Sequence, residues 1–171
     1  MLEITLLTAR GSAAREKTAQ IIRDNLLRIG IRAEIQLLLP NELAAHFIGT
    51  LDYEAVLFGL TPTDVSPDLQ TDLWYSNGKN HFWAPGQAHP QTPWESEIDG
   101  LVARLVRSLN PGERRGAFDR VQAIWAREMP AIPIVAPNIL AGWARGVGNL
   151  KPSVLPPHLL WNAEELTVPP R

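Results

Sequence analysis

The chain has 171 residues, of which 45% are hydrophobic and 20% are charged, and its formal net charge is −2. These proportions are typical of a folded globular protein and exclude a chain that is disordered throughout. The small net charge gives no electrostatic basis for binding nucleic acid, and the absence of cysteine excludes disulfides and thiolate chemistry. The length fits a single domain over residues 1–171.

The N-terminal part of the sequence alternates between strand and helix patterns. We predict one strand over residues 2–8 and a second over residues 32–39. Between them, Ser12 is a good N-cap for a helix that continues to about Ile29, and Gly30 is the residue type that commonly follows a helix end. Strand, helix and strand at this spacing are typical of a βαβ unit with a right-handed crossover.

A third strand is predicted over residues 55–58, where no polar residue interrupts the apolar ones. Such a run is typical of a strand in the middle of a parallel sheet that has helices on both faces. Before it, Asn41 is predicted to cap a short helix that ends at Gly49. Strands alternating with helices in this way indicate an α/β fold of three layers, with a mainly parallel sheet covered by helices.

Residues 59–94 are the least regular part of the sequence and contain many prolines and aromatic residues. A loop of this length in a compact domain is usually functional, and its aromatic residues favour packing over disorder. Ser66 followed by Pro67 predicts the start of a short helix over residues 68–75. Ligands of open α/β sheets bind beyond the carboxyl ends of the strands, so we place the candidate ligand-binding residues in this loop. They are Thr61, Asp64, Ser66, Asp68, Trp74 and Trp83.

Each candidate also has a purely structural explanation. Asp64 and Asp68 suit a cationic group of a ligand, because charge-assisted hydrogen bonds to carboxylates are strong. Either aspartate could instead cap a turn or the following helix. Trp74 and Trp83 could form the floor of a pocket, because indole rings supply a large contact area, or they could only pin the loop to the domain.

Two long helices are predicted next. Thr92 and Glu95 form a capping box, and apolar residues at helical spacing follow as far as Leu109. Asn110 is the predicted cap of a second helix, which Pro130 ends. Two helices joined by so short a connection are expected to form an antiparallel pair.

The last part of the chain is predicted to be extended. Residues 132–136 have the composition of a strand, and their prolines restrict it to an edge or crossover position. Residues 140–144 are expected to pair with it. Residues 150–171 are expected to form an extended segment that lies against a protein surface.

The sequence gives no sign of a metal site, a cofactor site or a catalytic motif. The histidines show no close metal-ligand spacing. They are His46, His81, His89 and His158. We find no nucleophile elbow, phosphate-binding loop or matched acid–base pair. We therefore predict that the protein is not an enzyme.

Several stretches, in this order, resemble one known family. They are the first helix with its exit into the second strand, AQIIRDNLLRIGIRAEIQ; the third strand with its loop, YEAVLFGLTPTDVSPD; the helix pair with its proline-rich ending, EIDGLVARLVRSLNPGERRGAFDRVQAIWAREMPAIPIVAP; and residues 141–149. Together they resemble the C-terminal lobe of the family 5 extracellular solute-binding proteins, the peptide- and dipeptide-binding receptors of ABC transporters.

The resemblance implies a periplasmic-binding-protein type II-like lobe, in which a helix pair and a C-terminal extended segment follow the sheet. It implies three partners: a peptide or other small solute, an N-terminal lobe, and an ABC permease in the membrane. We expect the parent protein to be periplasmic or extracytoplasmic, although Met1 leads directly into a strand pattern with no signal peptide. Asp64 falls near the family's aspartate that accepts the α-amino group of a bound peptide.

The chain departs from the family pattern at Gly59-Leu60, where Gly-Trp is usual, and at Ser66-Pro67, where Asp-Pro is usual. A proline- and aromatic-rich insertion over residues 78–94 is a further departure. Two alternative functions stay open. One is a solute-binding-like sensor or interaction module fused to a regulatory protein, and the other is a freestanding α/β interaction protein.

Overall fold

The protein is described from a computed structural model that covers residues 1–60, 66–136, 138, 140–153 and 155–168. The chain divides into two compact units, Met1–Thr61 and Pro62–Arg171.

The first unit is a small parallel α/β sheet. Its elements are β1 (Leu2–Ala9), α1 (Ala13–Arg28), β2 (Ile31–Leu38), α2 (Pro40–Ala44) and β3 (Ala55–Leu57). The strand order is β2-β1-β3, and β1 pairs in parallel with both neighbours. This confirms the predicted α/β fold with a parallel sheet and helices.

The helix of the βαβ unit begins and ends as predicted. The Ser12 side chain accepts a hydrogen bond from the Arg15 N–H, which satisfies one of the free donors of the first turn. Gly30 follows the helix with φ +84°, in the left-handed region that costs glycine little. Ala19 is the fully buried residue of α1, whereas Ile29, which directly follows the helix, is exposed.

Two expectations for the first unit are wrong. The strand β3 lies at an edge of the described sheet and is only partly buried, while β1 is central and buries Leu6 and Leu7. The unbroken apolar run of residues 55–58 indicates burial but does not encode how many neighbours a strand has. Asn41 does not cap α2, because the helix already begins at Pro40, whose fixed φ suits the first helical position.

The end of that helical segment also differs from the expectation. A π-helical turn, Ala45–Thr50, continues α2, and Leu51 ends it with φ 57°. The predicted stop at Gly49 is therefore two residues early. At the other end of α2, the Glu42 carboxylate accepts a hydrogen bond of 2.7 Å from the N–H of Leu39, the residue that directly precedes the helix.

The second unit is built around two helices. Its elements are a 3₁₀ turn (Pro67–Gln70), α3 (Thr71–Trp74), α4 (Pro93–Arg107), α5 (Pro111–Glu128) and a second 3₁₀ turn (Ala163–Glu165). The short helical segment after Ser66 and both long helices confirm the predicted elements. Near the C-terminus, Gly148 and Thr167 form an isolated antiparallel bridge.

The helices α4 and α5 share one apolar core. Its fully buried members are Ile98 and Val102 of α4 and Val121 and Ile124 of α5. Leu109 lies outside this core, because α4 ends at Arg107 and the Leu109 side chain is 97% exposed. The apolar pattern therefore runs past the end of the helix that it predicts.

The strand pairing predicted after α5 does not occur among the described residues. Residues 132–136 and 140–144 form no strand. Ile132 and Val135 are 74% and 79% exposed. The prolines in this stretch lack the backbone N–H that hydrogen bonding between paired strands requires. Across the described ranges, no helix is long and apolar enough to cross a membrane.

Candidate functional site

The structure describes four of the six predicted ligand-binding residues. Thr61 and Asp64 lie outside the described residues. Ser66 and Asp68 lie at the start of the 3₁₀ turn, and Trp74 ends α3. Trp83 lies in the loop between α3 and α4.

Ser66 and Asp68 are joined to α5 through Arg114. The Arg114 Nη2 donates to the Asp68 Oδ1 at 2.7 Å and to the Ser66 Oγ at 3.0 Å. The Ser66 hydroxyl in turn donates to the same Asp68 oxygen. The other guanidinium nitrogen, Nη1, donates to the Leu105 carbonyl at 2.8 Å, near the end of α4. One arginine therefore ties the 3₁₀ turn to both long helices.

These bonds also set the charge state of Asp68. The hydrogen bond from Ser66, together with that from Arg114, holds the pKa of the Asp68 carboxyl below its ordinary value. Asp68 is therefore ionised over the physiological range, and one of its oxygens is already paired inside the protein. The sequence gives no signal for this pairing, because Asp68 and Arg114 are 46 positions apart.

Trp74 and Trp83 are packed into an aromatic cluster with Trp125 of α5. The ring centroids of Trp83 and Trp125 are 4.6 Å apart at an interplanar angle of 89°, and those of Trp74 and Trp125 are 5.3 Å apart at 76°. Such edge-to-face pairs contribute about 0.5–1.5 kcal/mol beyond their burial. Among the described residues, the indole N–H groups of Trp74 and Trp83 are buried and have no hydrogen-bond acceptor. The cluster thus pins the loop to α5, and it also holds two buried donors.

A buried polar network lies beside this cluster. His81 is 1% exposed and Glu95 is 3% exposed. The Glu95 Oε1 accepts a hydrogen bond of 3.0 Å from the Gln87 amide and lies 3.3 Å from the His81 Nε2. The other oxygen, Oε2, accepts hydrogen bonds from the Gln91 N–H, the Thr92 N–H and the Thr92 hydroxyl.

This network lowers the pKa of Glu95. Burial by itself would raise that pKa, because it penalises the charged form. The hydrogen bonds from Gln87, Thr92 and His81, with that from the Gln91 N–H, outweigh burial and hold the pKa below its ordinary value. The predicted capping box is confirmed, since the Thr92 side chain accepts the Glu95 N–H. The sequence does not indicate that the same carboxylate also holds the preceding loop.

A second carboxylate of α4 anchors the start of that loop. Asp99 accepts the Ser76 N–H at 2.8 Å and the Ser76 hydroxyl at 2.7 Å, one on each of its oxygens. Residues 76–95 are therefore held by carboxylates at both ends, in agreement with the packing that their aromatic residues predict.

The carboxyl edge of the sheet, in the first unit, is held together by side-chain and backbone bonds. The buried Thr8 hydroxyl donates to the Leu57 carbonyl at 2.8 Å, which joins the ends of β1 and β3. The Arg10 N–H donates to the Leu38 carbonyl at 2.8 Å, which joins the ends of β1 and β2. Parallel strands direct such ends to one side of the sheet, the usual place for ligands of this fold class.

The second unit has two open concave surfaces of note. A cavity of about 160 Å³ lies beside the Arg114 cluster and is lined by Ser66, Pro67, Leu105 and Phe118 among others. A shallow groove of about 680 Å³ runs between α4 and α5. Among the described residues, no group of three or more histidine, aspartate or glutamate side chains could hold a metal ion.

Comparison with known proteins gives matches at the level of three-dimensional structure. No protein-family model and no curated protein sequence matches the chain. The oligopeptide-binding protein AppA of Bacillus subtilis, solved with a nonapeptide, matches 99% of this chain with a TM-score of 0.62 and 16% identity. The match covers 32% of AppA. The chain has the fold of one part of this binding protein.

Two further solute-binding proteins share this fold. The periplasmic binding protein MelB of Agrobacterium fabrum, solved with stachyose, matches 75% of the chain with a TM-score of 0.63 and 20% identity. NikA of Staphylococcus aureus, solved with a nickel–histidine complex, matches 75% with a TM-score of 0.62 and 16% identity. The chain spans 20% of MelB and 26% of NikA, so it corresponds to part of each.

These matches confirm the fold that the sequence resemblance implies. The matched structures are binding proteins rather than enzymes, and their solutes include a peptide, a sugar and a nickel complex. At this level of identity the likeness extends to the fold and not to the solute.

Proposed function

We propose that the chain is the ligand-binding lobe of an extracytoplasmic solute-binding protein that binds peptides between two lobes and delivers them to an ABC permease. The observation that carries this proposal is the match of 99% of the chain to the fold of AppA, which was solved with a peptide. Closure of two lobes around a solute is a common mechanism for such receptors.

The ligand is proposed to contact the loop that follows β3. This loop leaves from the carboxyl edge of the parallel sheet, where ligands of α/β proteins bind. Its candidate contacts are the residues predicted from the sequence, with Asp64 or Asp68 accepting the ammonium group of the peptide. Thr61, Ser66, Trp74 and Trp83 are the other proposed contacts.

The exposed segment after α5 supports a second lobe. Ile132, Val135 and Leu140 are 74%, 79% and 92% exposed, which is unusual for apolar residues so close in sequence. An extended apolar segment of this kind is typical of an interface that is covered in the assembled protein. We propose that the N-terminal lobe covers it.

Thermal unfolding of the full-length protein tests the peptide proposal. The protein would be heated with a mixture of three- to five-residue peptides, with stachyose, or with a nickel–histidine complex. A ligand at about 100 times its Kd stabilises the folded state by about 2.7 kcal/mol, which raises Tm. Peptides are expected to raise Tm, and the other two solutes are not. A rise with stachyose or nickel alone would assign a different solute, and no rise with any of them would contradict the proposed function.

A pair of variants tests the ligand-facing carboxylate. We expect Asp64→Asn to weaken peptide binding by roughly tenfold or more, because a charge-assisted hydrogen bond is lost. Asp52→Asn is a matched control, since Asp52 is exposed and lies before β3. Equal affinity of wild type and Asp64→Asn would remove Asp64 from the site.

A further inference from the structure

Arg114 has no ligand role in the sequence prediction, yet it holds two of the predicted ligand-binding residues. We propose that Arg114 is a positioning residue that fixes the ligand-facing loop against α4 and α5. This inference rests on the proposed function, because it gives Arg114 its effect on solute binding through Ser66 and Asp68.

The two terminal guanidinium nitrogens of Arg114 bond to different elements of the fold. Nη1 donates to the Leu105 carbonyl at 2.8 Å, in the last turn of α4. Nη2 donates to Ser66 at 3.0 Å and to Asp68 at 2.7 Å, both at the start of the 3₁₀ turn. A planar guanidinium fixes the angle between these two directions, whereas a lysine ammonium is a single point charge. The loop residues are therefore held at a set distance and orientation from a helix end.

The hydrogen bonds within the cluster make it one unit. Ser66 accepts from Arg114 and donates to Asp68, so removal of any member leaves another without its partner. The Arg114 and Asp68 side chains are only about a quarter exposed, at 26% and 24%. Partial burial makes their charge pairing stronger than that of an exposed surface pair.

The cluster also gives Asp68 a role in the conformation of the loop. The Asp68 Oδ1 is committed to Arg114 and Ser66, so Asp68 serves the site through the conformation of the loop. Arg114 influences affinity without contacting the solute.

Hydrogen exchange of the full-length protein tests the anchoring without any ligand. Arg114→Ala is expected to accelerate amide exchange in the 3₁₀ turn, where the Leu69 N–H donates to the Ser66 carbonyl, and to leave the α4–α5 core unchanged. Arg114→Lys is expected to restore part of the protection, and Asp68→Asn to resemble Arg114→Ala. Arg115→Ala is the matched control, because Arg115 is exposed on the same helix. Unchanged exchange in the turn of Arg114→Ala would overturn the proposal.

Peptide affinity is then measured on the same proteins with the peptide mixture named above. Arg114→Ala and Asp68→Asn are each expected to weaken binding about tenfold, and the double variant no more than either single one, because the residues act as one unit. Additive losses, or wild-type affinity in a variant whose turn exchanges faster, would overturn the positioning role. If the wild type binds no peptide, the proposed function fails, whereas the exchange result still decides whether Arg114 anchors the turn.

Discussion

The Nε2 of His81 lies 3.3 Å from the Oε1 of Glu95, and both side chains are almost completely excluded from solvent. Glu95 is also the residue whose carboxylate closes the capping box of α4. One buried carboxylate therefore caps the start of α4 and also holds the loop that precedes this helix.

Glu95→Gln is expected to destabilise the protein by about 3 kcal/mol, because the amide cannot replace a carboxylate that accepts hydrogen bonds on both oxygens in a buried site. Urea unfolding monitored by circular dichroism measures the change in the free energy of unfolding. Glu97→Gln is the control on the same helix, since Glu97 forms an exposed pair with Arg120. Equal effects of the two substitutions would contradict the importance of the buried network.

The stability difference between wild type and Glu95→Gln is expected to depend on pH. The pKa of Glu95 in the folded protein is lower than its ordinary value of 4.5, so its contribution is complete above that value. The contribution is lost as the pH falls through the folded pKa. Urea unfolding at several values between about pH 6 and about pH 3 should therefore show the gap between the two proteins closing. A gap that widens toward acid would show that the carboxyl is protonated in the folded protein.

Gly78→Ala is expected to lower the free energy of unfolding by about 1–3 kcal/mol, because the added methyl group overlaps the backbone of Asp72. A Cβ at Gly78 would overlap the Asp72 carbonyl oxygen and lie 2.6 Å from its carbon. Gly116→Ala, on α5, is the matched control, since a Cβ there meets no atom within 4 Å. Alanine is the better helix former, so Gly116→Ala is expected to stabilise by about 0.5–1 kcal/mol. Thermal unfolding of both variants measures these opposite signs.

The combined substitution of Ile132 and Val135 by serine is expected to reduce self-association of the 171-residue chain. Both side chains are exposed and apolar, and exposed apolar segments promote association. Analytical ultracentrifugation at several concentrations measures the effect, with Leu109→Ser as a control at an exposed leucine outside this segment. The free energy of unfolding should change by less than about 0.5 kcal/mol, as is usual for surface positions. A large loss of stability would mean that these residues belong to the core of the chain.

The elements that the sequence predicts well are those that local signals define. Ser12, Thr92 and Asn110 each cap the helix that they precede, because a cap needs only its own side chain and the next few amides. The βαβ unit follows for the same reason, since its strands and helix are contiguous in sequence. The wrong predictions concern which strands are neighbours, because the spacing of apolar residues does not encode this. They are the position of β3 and the strand pairing of residues 132–136.

The same distinction between local signals and long-range contacts applies to the candidate site. A loop after the third strand is predictable, and so is its packing by aromatic residues. The helix residues that bond to the loop are not predictable from the sequence. Arg114 pairs with Asp68 across 46 positions, and Glu95 pairs with His81 across 14. Nothing in the spacing of these residues distinguishes a carboxylate that pairs with an arginine from one that awaits a ligand.

The attachment of Ser66 and Asp68 to a helix rather than to a neighbouring strand has an evolutionary consequence. Under the proposed function, solute preference can change through substitutions in the first turn of α5, at positions that do not contact the solute. Substitution of Arg114 would then change the proposed binding loop without replacing any of its own residues.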